Sequence, residues 1–353
     1  MLESHRRLYN VCLDYREMAY QTLKVTVNYS DCSRWFKSQR VANPYFARLN
    51  FSSAQTTMRR LDKAFSRFFS RVKAKQGRAG YPRFKGKDKF NSITFPRHGD
   101  GIRLIGNRLR VQHVGTIRVK LHRPVQGVIK TVTVRREAGK WYVIVDCEIP
   151  DTSIGQSALP PAGIDVGLTA FLTTSTGTIE PNPRYLKNAL PRLRVATRSV
   201  SRKKRKGKNR SKAGRKLQGI HIRVKNSRRE HHFQVANRLV LAFGMIAVES
   251  LNIKKMLKNN RLSRAISDAG WSSFLSILKH KAESAGVQFV EVDPAGTTQQ
   301  CSRCHREVPK DLSVRWHDCP HCGLSLSRDH NAALNILERG LARTGPAGAN
   351  VGQ

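Results

Sequence analysis

Acidic side chains are scarce in this chain: 24 Asp and Glu stand against 65 Lys and Arg, a formal net charge of +41 over 353 residues. A compact protein so charged repels itself unless salt or a polyanion neutralises it. Nucleic acid is the expected partner, bound through phosphate contacts and counterion release. A ribosomal-type RNA binder would need the same charge but no catalytic site. Long apolar runs are also missing. Nothing approaches the roughly 20 residues of a membrane span, and no N-terminal apolar run resembles a signal peptide. Cysteine is sparse, seven in an odd total, which argues against a secreted disulfide framework and for a reducing compartment. Cys12, Cys32 and Cys147 are scattered and read as small buried residues. The expectation is a soluble intracellular protein of two or three domains.

The scarcity of acid is extreme in one interval. Between Glu180 and Glu230 there is no carboxylate at all, and "RLRVATRSVSRKKRKGKNRSKAGRKL" (192–217) is half Lys and Arg. Leu190 and Leu193 before it, and Leu217, Ile220 and Val224 after it, have helical spacing. Two basic helices joined by a tip around Gly207 to Gly214 are expected. A solvated charge run is the plain reading of such a stretch. The length of this one, with no compensating carboxylate, favours a phosphate-facing role. Its densest cations are Arg202, Lys203, Lys204, Arg205, Lys206, Lys208 and Arg210.

From residue 1 to about 75 the pattern is helical. Leu8, Val11, Cys12 and Tyr15 share one face, and Met58, Leu61, Phe65, Phe68, Phe69 and Val72 form a later stripe. "GRAGYPRFKGK" (77–87) breaks the helix. Six short β-branched runs follow up to about 150, suggesting a small antiparallel barrel or sandwich. Their clearest hairpin joins Lys130–Glu137 to Lys140–Ile149 across Ala-Gly. "PDTSIGQSALPPAG" (150–163) reads as a linker. Beyond it, strands at "GIDVGLTAFLTTSTGTIE", "MIAVESL" and "VQFVEV" alternate with helices, including one around Phe233 to Phe243 and one over "SDAGWSSFLSILKHKAESAG". This implies an α/β layer with a mostly buried sheet. The Gly-, Ala- and Pro-rich tail after Gly340 is expected to be disordered.

Cys301, Cys304, Cys319 and Cys322 read C-x2-C-x14-C-x2-C. Each pair can sit on a tight knuckle, and two knuckles complete a tetrahedral zinc site with no position open for water. Such zinc is structural. Three acids stand out by setting: Asp165 within the apolar "GIDVGL", Glu249 ending "MIAVE", and Asp329 heading "DHNAALNIL". Each has a plain reading too, as a turn former, a strand-end surface residue and a helix N-cap. Jointly they suit hard divalent cations such as Mg²⁺ at the strand ends of a sheet enzyme acting on phosphodiesters. Spacing alone does not decide between these readings.

The order Asp, Glu, Asp in "GIDVGL", "AVESLNI" and "SRDHNAALNIL" resembles a RuvC-type nuclease of the RNase H fold. Together with "ISDAGWSSFLSILKHKA", "VDPAGTTQQCSRC", "HDCPHCG" and "GYPRFK", the whole chain resembles the TnpB family, transposon-encoded relatives of type V CRISPR effectors. The resemblance implies an RNA-guided endonuclease acting on double-stranded DNA with a guide RNA derived from the transposon end, in the nucleoid of a prokaryotic cell. It implies that Asp165, Glu249 and Asp329 hold two catalytic Mg²⁺ and that the four cysteines hold Zn²⁺. The implied fold is α+β and multidomain. A helical recognition lobe (1–76) and a wedge-like β-barrel (77–150) precede a linker (151–162). A RuvC-like domain (163–340) carries a zinc ribbon at about 297–326, and a tail (341–353) follows. The basic hairpin would then contact RNA or heteroduplex backbone. Tyr81, Arg83, Phe84 and Lys85 are candidates for nucleic-acid contact, or else a turn packed on its own barrel. Two departures stand out: the chain opens in helix where relatives open on a barrel strand, and Ser250 and Ser327 occupy places where relatives often carry Asp. Alternatives are a guided repressor without cleavage, a compact type V CRISPR effector, and a transposase on the same fold. The first should have lost an acid, and the last typically ends its triad in Glu.

Overall fold

Residues 1–75, 77, 79–150, 158–311 and 313–344 are described by a computed structural model. The chain divides after residue 151 into two compact units.

The first unit opens with four helices, α1 (Leu2–Leu23), α2 (Tyr29–Ala42), α3 (Pro44–Ala47) and α4 (Phe51–Lys73). Asparagines start three of them. Asn28 forms a capping box with Asp31, Asn43 caps α3 ahead of its N1 proline, and the Asn50 side chain accepts from Ser53 N. Leu8, Cys12 and Leu13 of α1 meet Ala54, Met58, Leu61 and Phe65 of α4 in one core, with Phe36 of α2. The expected stripe on α4 leaves the core after Phe65: Phe69 and Val72 are exposed. Val11 of α1 likewise points outward.

Six strands follow: β1 (Ser92–Phe95), β2 (Ile102–Ile105), β3 (Arg108–Val111), β4 (Gly115–Arg118), β5 (Val128–Glu137) and β6 (Lys140–Glu148). They match the six runs read from the sequence. Ala138 and Gly139 both take positive φ, the two-residue turn whose twist suits the β5–β6 hairpin. The expected barrel is not closed. The strands form two antiparallel sheets, β1-β5-β6 and β2-β3-β4. Closure needs a continuous ladder, and among the described residues β6 has no partner beyond β5 and exposes Trp141 and Ile144.

In the second unit β7 (Pro161–Val166), β8 (Ala170–Thr174) and β9 (Ile179–Pro181) come first, then α5 (Tyr185–Ser201) and α6 (Lys208–Ala242). Next are β10 (Met245–Glu249), α7 (Ile253–Met256), α8 (Ser263–Ala269), α9 (Trp271–Ser284) and β11 (Gln288–Val292). A short hairpin, β12 (Trp316–Asp318) and β13 (Ser325–Ser327), leads into α10 (Arg328–Thr344). Three expectations change here. β7 begins inside the expected linker, whose residues 151–157 lie outside the described residues. The helix around Phe233 is the end of α6, a single 35-residue helix that also absorbs Gly214, so the hairpin tip is 202–207. Buried Ala213, Val224 and Val235 recur along α6 at intervals of about three turns, packing that outweighs the roughly 1 kcal/mol cost of an interior glycine. Last, α10 runs to Thr344, into the expected tail, and residues 345–353 lie outside the described residues.

One sheet, ordered β11-β10-β7-β8-β9, organises this unit. β7, β10 and β11 are parallel, β8 runs against them, and β9, antiparallel to β8, runs with β7 again. Ala162, Ile164, Ile246 and Val248 face α6 and α9, where Leu239, Phe274 and Leu278 complete a core. Alternate residues face α10, with Met245, Ala247 and Val292 against Ile336. Gly163 makes that contact possible, because a Cβ there would lie 2.1 Å from the Ala333 carbonyl oxygen. A Cβ on Gly340 would likewise lie 2.5 Å from that of Ala247. Backbone and helix therefore approach at both ends of α10. Among the described residues no helix is long and apolar enough to cross a membrane.

Candidate active site and metal centre

The alternation that turns Gly163 toward α10 turns Asp165 the same way, two residues on. Along β10 the same holds for Ala247 and Glu249. The β7–β10 register pairs Ile164 with Val248, so its next step sets Asp165 beside Glu249 at the C-terminal ends of two parallel strands. α10 brings in the third acid. Asp329 is four residues before Ala333, on the helix face that meets Gly163, and its Oδ2 lies 4.0 Å from where a Gly167 Cβ would be. All three acids are half-buried.

Electrostatics register the convergence. Desolvation by the protein packed around it pushes the Asp165 carboxyl well above the usual carboxylate range, Glu249 and Asp329 push it further, and Arg328 opposes them. Burial also raises Glu249, against the Thr297 hydroxyl bond and the Arg339 charge. Such an all-oxygen, mutually repelling set suits hard divalent cations. The oxygens are not gathered as tightly as the cysteine sulfurs described below, which among the described residues are the one set of three or more His, Cys, Asp or Glu ligand atoms all within 4.8 Å of one another.

Asp329 is not the N-cap of its helix. Ser327 Oγ accepts from His330 N at 3.2 Å, so the serine caps α10 and the carboxylate is left to the cluster. Arg328 donates from Nη1 to the Val314 carbonyl at 3.1 Å and from Nη2 to Asp329 Oδ1 at 3.4 Å. His330 Nε2 meets the Ser175 carbonyl at 3.0 Å and so ties the β8–β9 turn to α10. Sequence reasoning missed three residues here: Thr297, Asn331 and Asn335. Thr297 Oγ1 donates to Glu249, while the Asn331 and Asn335 side chains donate to backbone carbonyls of 297–300. For the two asparagines the one signal was i,i+4 spacing of amides on a helix otherwise apolar on that face.

The four cysteines meet. Sγ of Cys301 lies 3.6 Å from that of Cys322, and Cys304 lies 3.5 Å from Cys319. A tetrahedron with metal–sulfur distances of about 2.3 Å has edges of about 3.8 Å, whereas a disulfide needs about 2.05 Å. The thiols are free, and their arrangement fits one metal ion. Tight turns build both knuckles: His305 N donates to the Cys301 carbonyl, and Gly323 N to that of Cys319. Desolvation raises the Cys319 thiol, but N–H groups of His321 and Cys322 and neighbouring thiols outweigh it and bring it down to about 6. Asn331 Oδ1 accepts from Ser302 N at 2.9 Å, so α10 holds the first knuckle directly.

The basic hairpin forms, with its tip at 202–207. At its tip Arg202, Lys204, Arg205, Lys206 and Lys208 are exposed. Lys203 and Arg210 are half-buried, and Arg210 Nη1 donates to the Val200 and Lys203 carbonyls at 2.8 and 3.1 Å. Arg210 thus closes the end of α5 rather than standing free. In the first unit, the turn at 81–85 docks on helices, not on the strands that follow it. The Tyr81 ring meets Phe65 and Phe68 of α4 edge-on at 5.5 and 5.3 Å. Lys85 exchanges backbone bonds with the Asn10 side chain, and its Nζ lies over the Tyr9 ring. Arg83 is exposed, as are Tyr81 and Phe84.

Comparison with known proteins gives consistent matches. A family model described as "Probable transposase" matches residues 145–260, and one described as "Cas12f1-like, TNB domain" matches 271–336. A "Putative RNA-guided DNA endonuclease" of Streptomyces pristinaespiralis is 33% identical over 348 residues, covering 96% of this chain and 84% of that protein. The similarly described InsQ of Escherichia coli (strain K12) is 30% identical over 307 residues, covering 82% and 74%. A cryo-EM structure of a Cas12f1–sgRNA–target DNA complex is similar at a TM-score of 0.38 and 15% identity, covering 95% of this chain and 92% of that one.

Proposed function

The chain belongs to the TnpB family, and from that premise we propose that it is a transposon-encoded, RNA-guided endonuclease hydrolysing DNA phosphodiesters at Asp165, Glu249 and Asp329. The observation that carries this reading is the arrival of those three acids, from β7, β10 and α10, on one face of one sheet, with Asp165 raised by burial first and then by the other two. They would hold two Mg²⁺ ions, whose chemistry is to activate water and to neutralise the leaving oxygen.

The protein's own part is positional. Thr297 orients Glu249 through its hydroxyl. Ser327 takes over the capping of α10 and leaves the Asp329 carboxylate to the cluster. Arg328, held between the Val314 carbonyl and Asp329, keeps a cation at the cluster's edge. A structural zinc on Cys301, Cys304, Cys319 and Cys322 would lock a ribbon whose base is bonded to α10, so that ribbon and catalytic helix act as one piece. In this reading the sheet is the RuvC-like nuclease domain.

The exposed tip cations Arg202, Lys204, Arg205, Lys206 and Lys208 would meet phosphates of a guide RNA derived from the transposon end, or of its heteroduplex with target DNA. Guide pairing then supplies most of the specificity for a double-stranded target. Tyr81, Arg83 and Lys85 offer a second, smaller contact on the helical unit, with Arg83 the exposed cation. The test is purification with co-expressed flanking transposon RNA, sequencing of the bound RNA, and plasmid cleavage in Mg²⁺. Cutting should need the RNA and a matching target. Asp165→Ala should abolish cutting while keeping RNA and target binding, and full cleavage by that variant would overturn the assignment.

A further inference from the structure

The sheet β1-β5-β6 ends on two unlike edges. α1 and α4 pack against β1. β6 is bare. It runs nine residues, Lys140–Glu148, without proline and with an uncharged stretch from Trp141 to Val145. Trp141 is 57% exposed, Tyr142 38% and Ile144 41%. Proteins shield an edge by keeping it short or by setting charge or proline along it, because its free N–H and C=O groups pair with any strand that arrives. The middle of β6 carries none of these defences.

The register shows which groups are free. The two-residue turn at Ala138-Gly139 makes Glu137 and Lys140 a hydrogen-bonded pair, so every second residue of β6 from Lys140 points its backbone at β5. Arg136 N donates to the Asn91 carbonyl, which agrees: the even residues of β5 bond toward β1 and the odd ones are left for β6. The free groups are therefore those of Trp141, Val143 and Val145. Their side chains share the face of Val132 and Val134, which belong to the core. Val143 and Val145 pack on that core yet are only half-buried. Hydrogen bonding and apolar packing thus stop unfinished at the same strand.

The strand that completes both is another β6. Antiparallel pairing about a twofold axis at Ile144 overlaps all nine residues and sets each contact against its own copy. Lys140 then faces the second copy's Glu148 at both ends, and Tyr142 faces its Asp146. Trp141 faces Cys147 and Val143 faces Val145, in the hydrogen-bonded positions where the free groups lie. Ile144 meets itself. Self-repulsion is severe for a chain of +41 but weak at this hairpin: Lys130, Arg135, Arg136 and Lys140 stand against Glu137, Asp146 and Glu148, a net +1 over 128–148.

We propose that two copies of the chain pair through β6, antiparallel about Ile144, to form one six-stranded sheet ordered β1-β5-β6-β6-β5-β1. The pairing uses neither the carboxylate cluster nor the cysteines, and holds whether or not the chain cuts DNA.

The full chain without nucleic acid is sedimented in about 0.3 M salt, which screens its remaining charge. Over about 1–100 µM it should pass from one chain to two and no further, as a closed twofold contact requires. Lys140→Glu sets carboxylates against each other at both ends and should weaken the pair about tenfold. Single cysteines then test the register under diamide. Ile144→Cys should give a two-chain disulfide mapped to residue 144, since Cα atoms of a non-hydrogen-bonded pair are about 4.5 Å apart, within disulfide reach. Asp146→Cys should not, because 146 faces 142 and its two copies stand about 13 Å apart. A single chain at every concentration overturns the proposal, and is what a foreign strand on β6 would leave. Open-ended growth overturns it too. So does a pair that Lys140→Glu leaves unchanged, or cross-linking by Asp146→Cys as complete as by Ile144→Cys.

Discussion

Thr297 Oγ1 lies 2.5 Å from Glu249 Oε1, a hydroxyl donating to a carboxylate across 48 residues of sequence. The same threonine accepts at its carbonyl from Asn335 Nδ2 at 2.8 Å. One residue therefore joins the end of β10, the base of the cysteine ribbon and the helix carrying Asp329. Thr297 is 2% exposed, so no water replaces its hydroxyl readily.

Thr297→Val keeps the shape and removes the donor. Losing a group that orients a metal-binding carboxylate should lower cleavage about 10–100-fold and raise the Mg²⁺ concentration needed. Thr297→Ser should restore most of both. A cleavage assay over a Mg²⁺ titration reads the effect. Equal activity of the Val variant would show that Glu249 needs no such support.

The raised Asp165 pKa has a consequence for stability. Its folded value lies above its unfolded one, so the stabilising contribution is fully present below the ordinary carboxylate range and is lost as pH rises through the folded value. Above the ordinary carboxylate range and without divalent ions, this carboxyl therefore costs the fold stability. Asp165→Asn should melt higher than the native chain in EDTA. That difference should grow as pH rises from about 4 toward neutrality and should shrink when Mg²⁺ is added. Thermal melts at several pH values decide it, and a difference that is flat with pH would refute the coupling.

Removing a zinc ligand should act at a distance. Cys319→Ser should lower bound zinc from about one equivalent per chain to near none. The knuckle at Cys301 is bonded to Asn331, so hydrogen exchange should quicken in the first turns of α10 as well as in the ribbon. Zinc content unchanged in the variant would exclude the four-sulfur site.

How much of this was legible beforehand follows from range. Cys301 to Cys322 could be read because metal spacing is local and leaves one solution. The six strands of the first unit and the hairpin turn at Ala138-Gly139 were readable for the same reason. Closure was not. Whether β6 finds a second partner depends on ladders between distant strands, which a period of two does not specify. The α4 stripe illustrates a further limit: periodicity marks Phe69 and Val72 as apolar-facing, but not that the core ends before them. Asp165 and Glu249 were legible as acids at the ends of apolar strands. Thr297 was not, because a threonine in a loop carries no pattern until the fold sets a carboxylate beside it.

Hairpin cations should separate into two kinds. Replacing Arg202, Lys204, Arg205 and Lys206 by Ala removes exposed charges that make no contact needed by the fold. The slope of log affinity against log salt should become shallower by about 3, with little change in melting. Arg210→Ala removes bonds to the Val200 and Lys203 carbonyls. It should fray the end of α5, seen as faster hydrogen exchange at 198–206, and change the salt slope by no more than about 1. Equal slopes for the quadruple variant and the native chain would remove the tip from the nucleic-acid surface.

Ser327 and Asp329 stand two residues apart at one helix start, and either could have capped it. The structure gives that work to Ser327, whose hydroxyl accepts from His330 N, and this division predicts opposite phenotypes. Ser327→Ala should lower stability by about 1 kcal/mol and reduce cleavage modestly, since α10 is still held by Gly163, Asn331 and Asn335. Asp329→Asn should leave melting nearly unchanged and abolish cleavage, because an amide binds a divalent cation far less well than a carboxylate. Melting curves and cleavage rates on the two variants distinguish the roles. If Asp329→Asn instead lost stability and kept its activity, Asp329 would be the cap and the site would have only two acids, too few to hold a pair of cations.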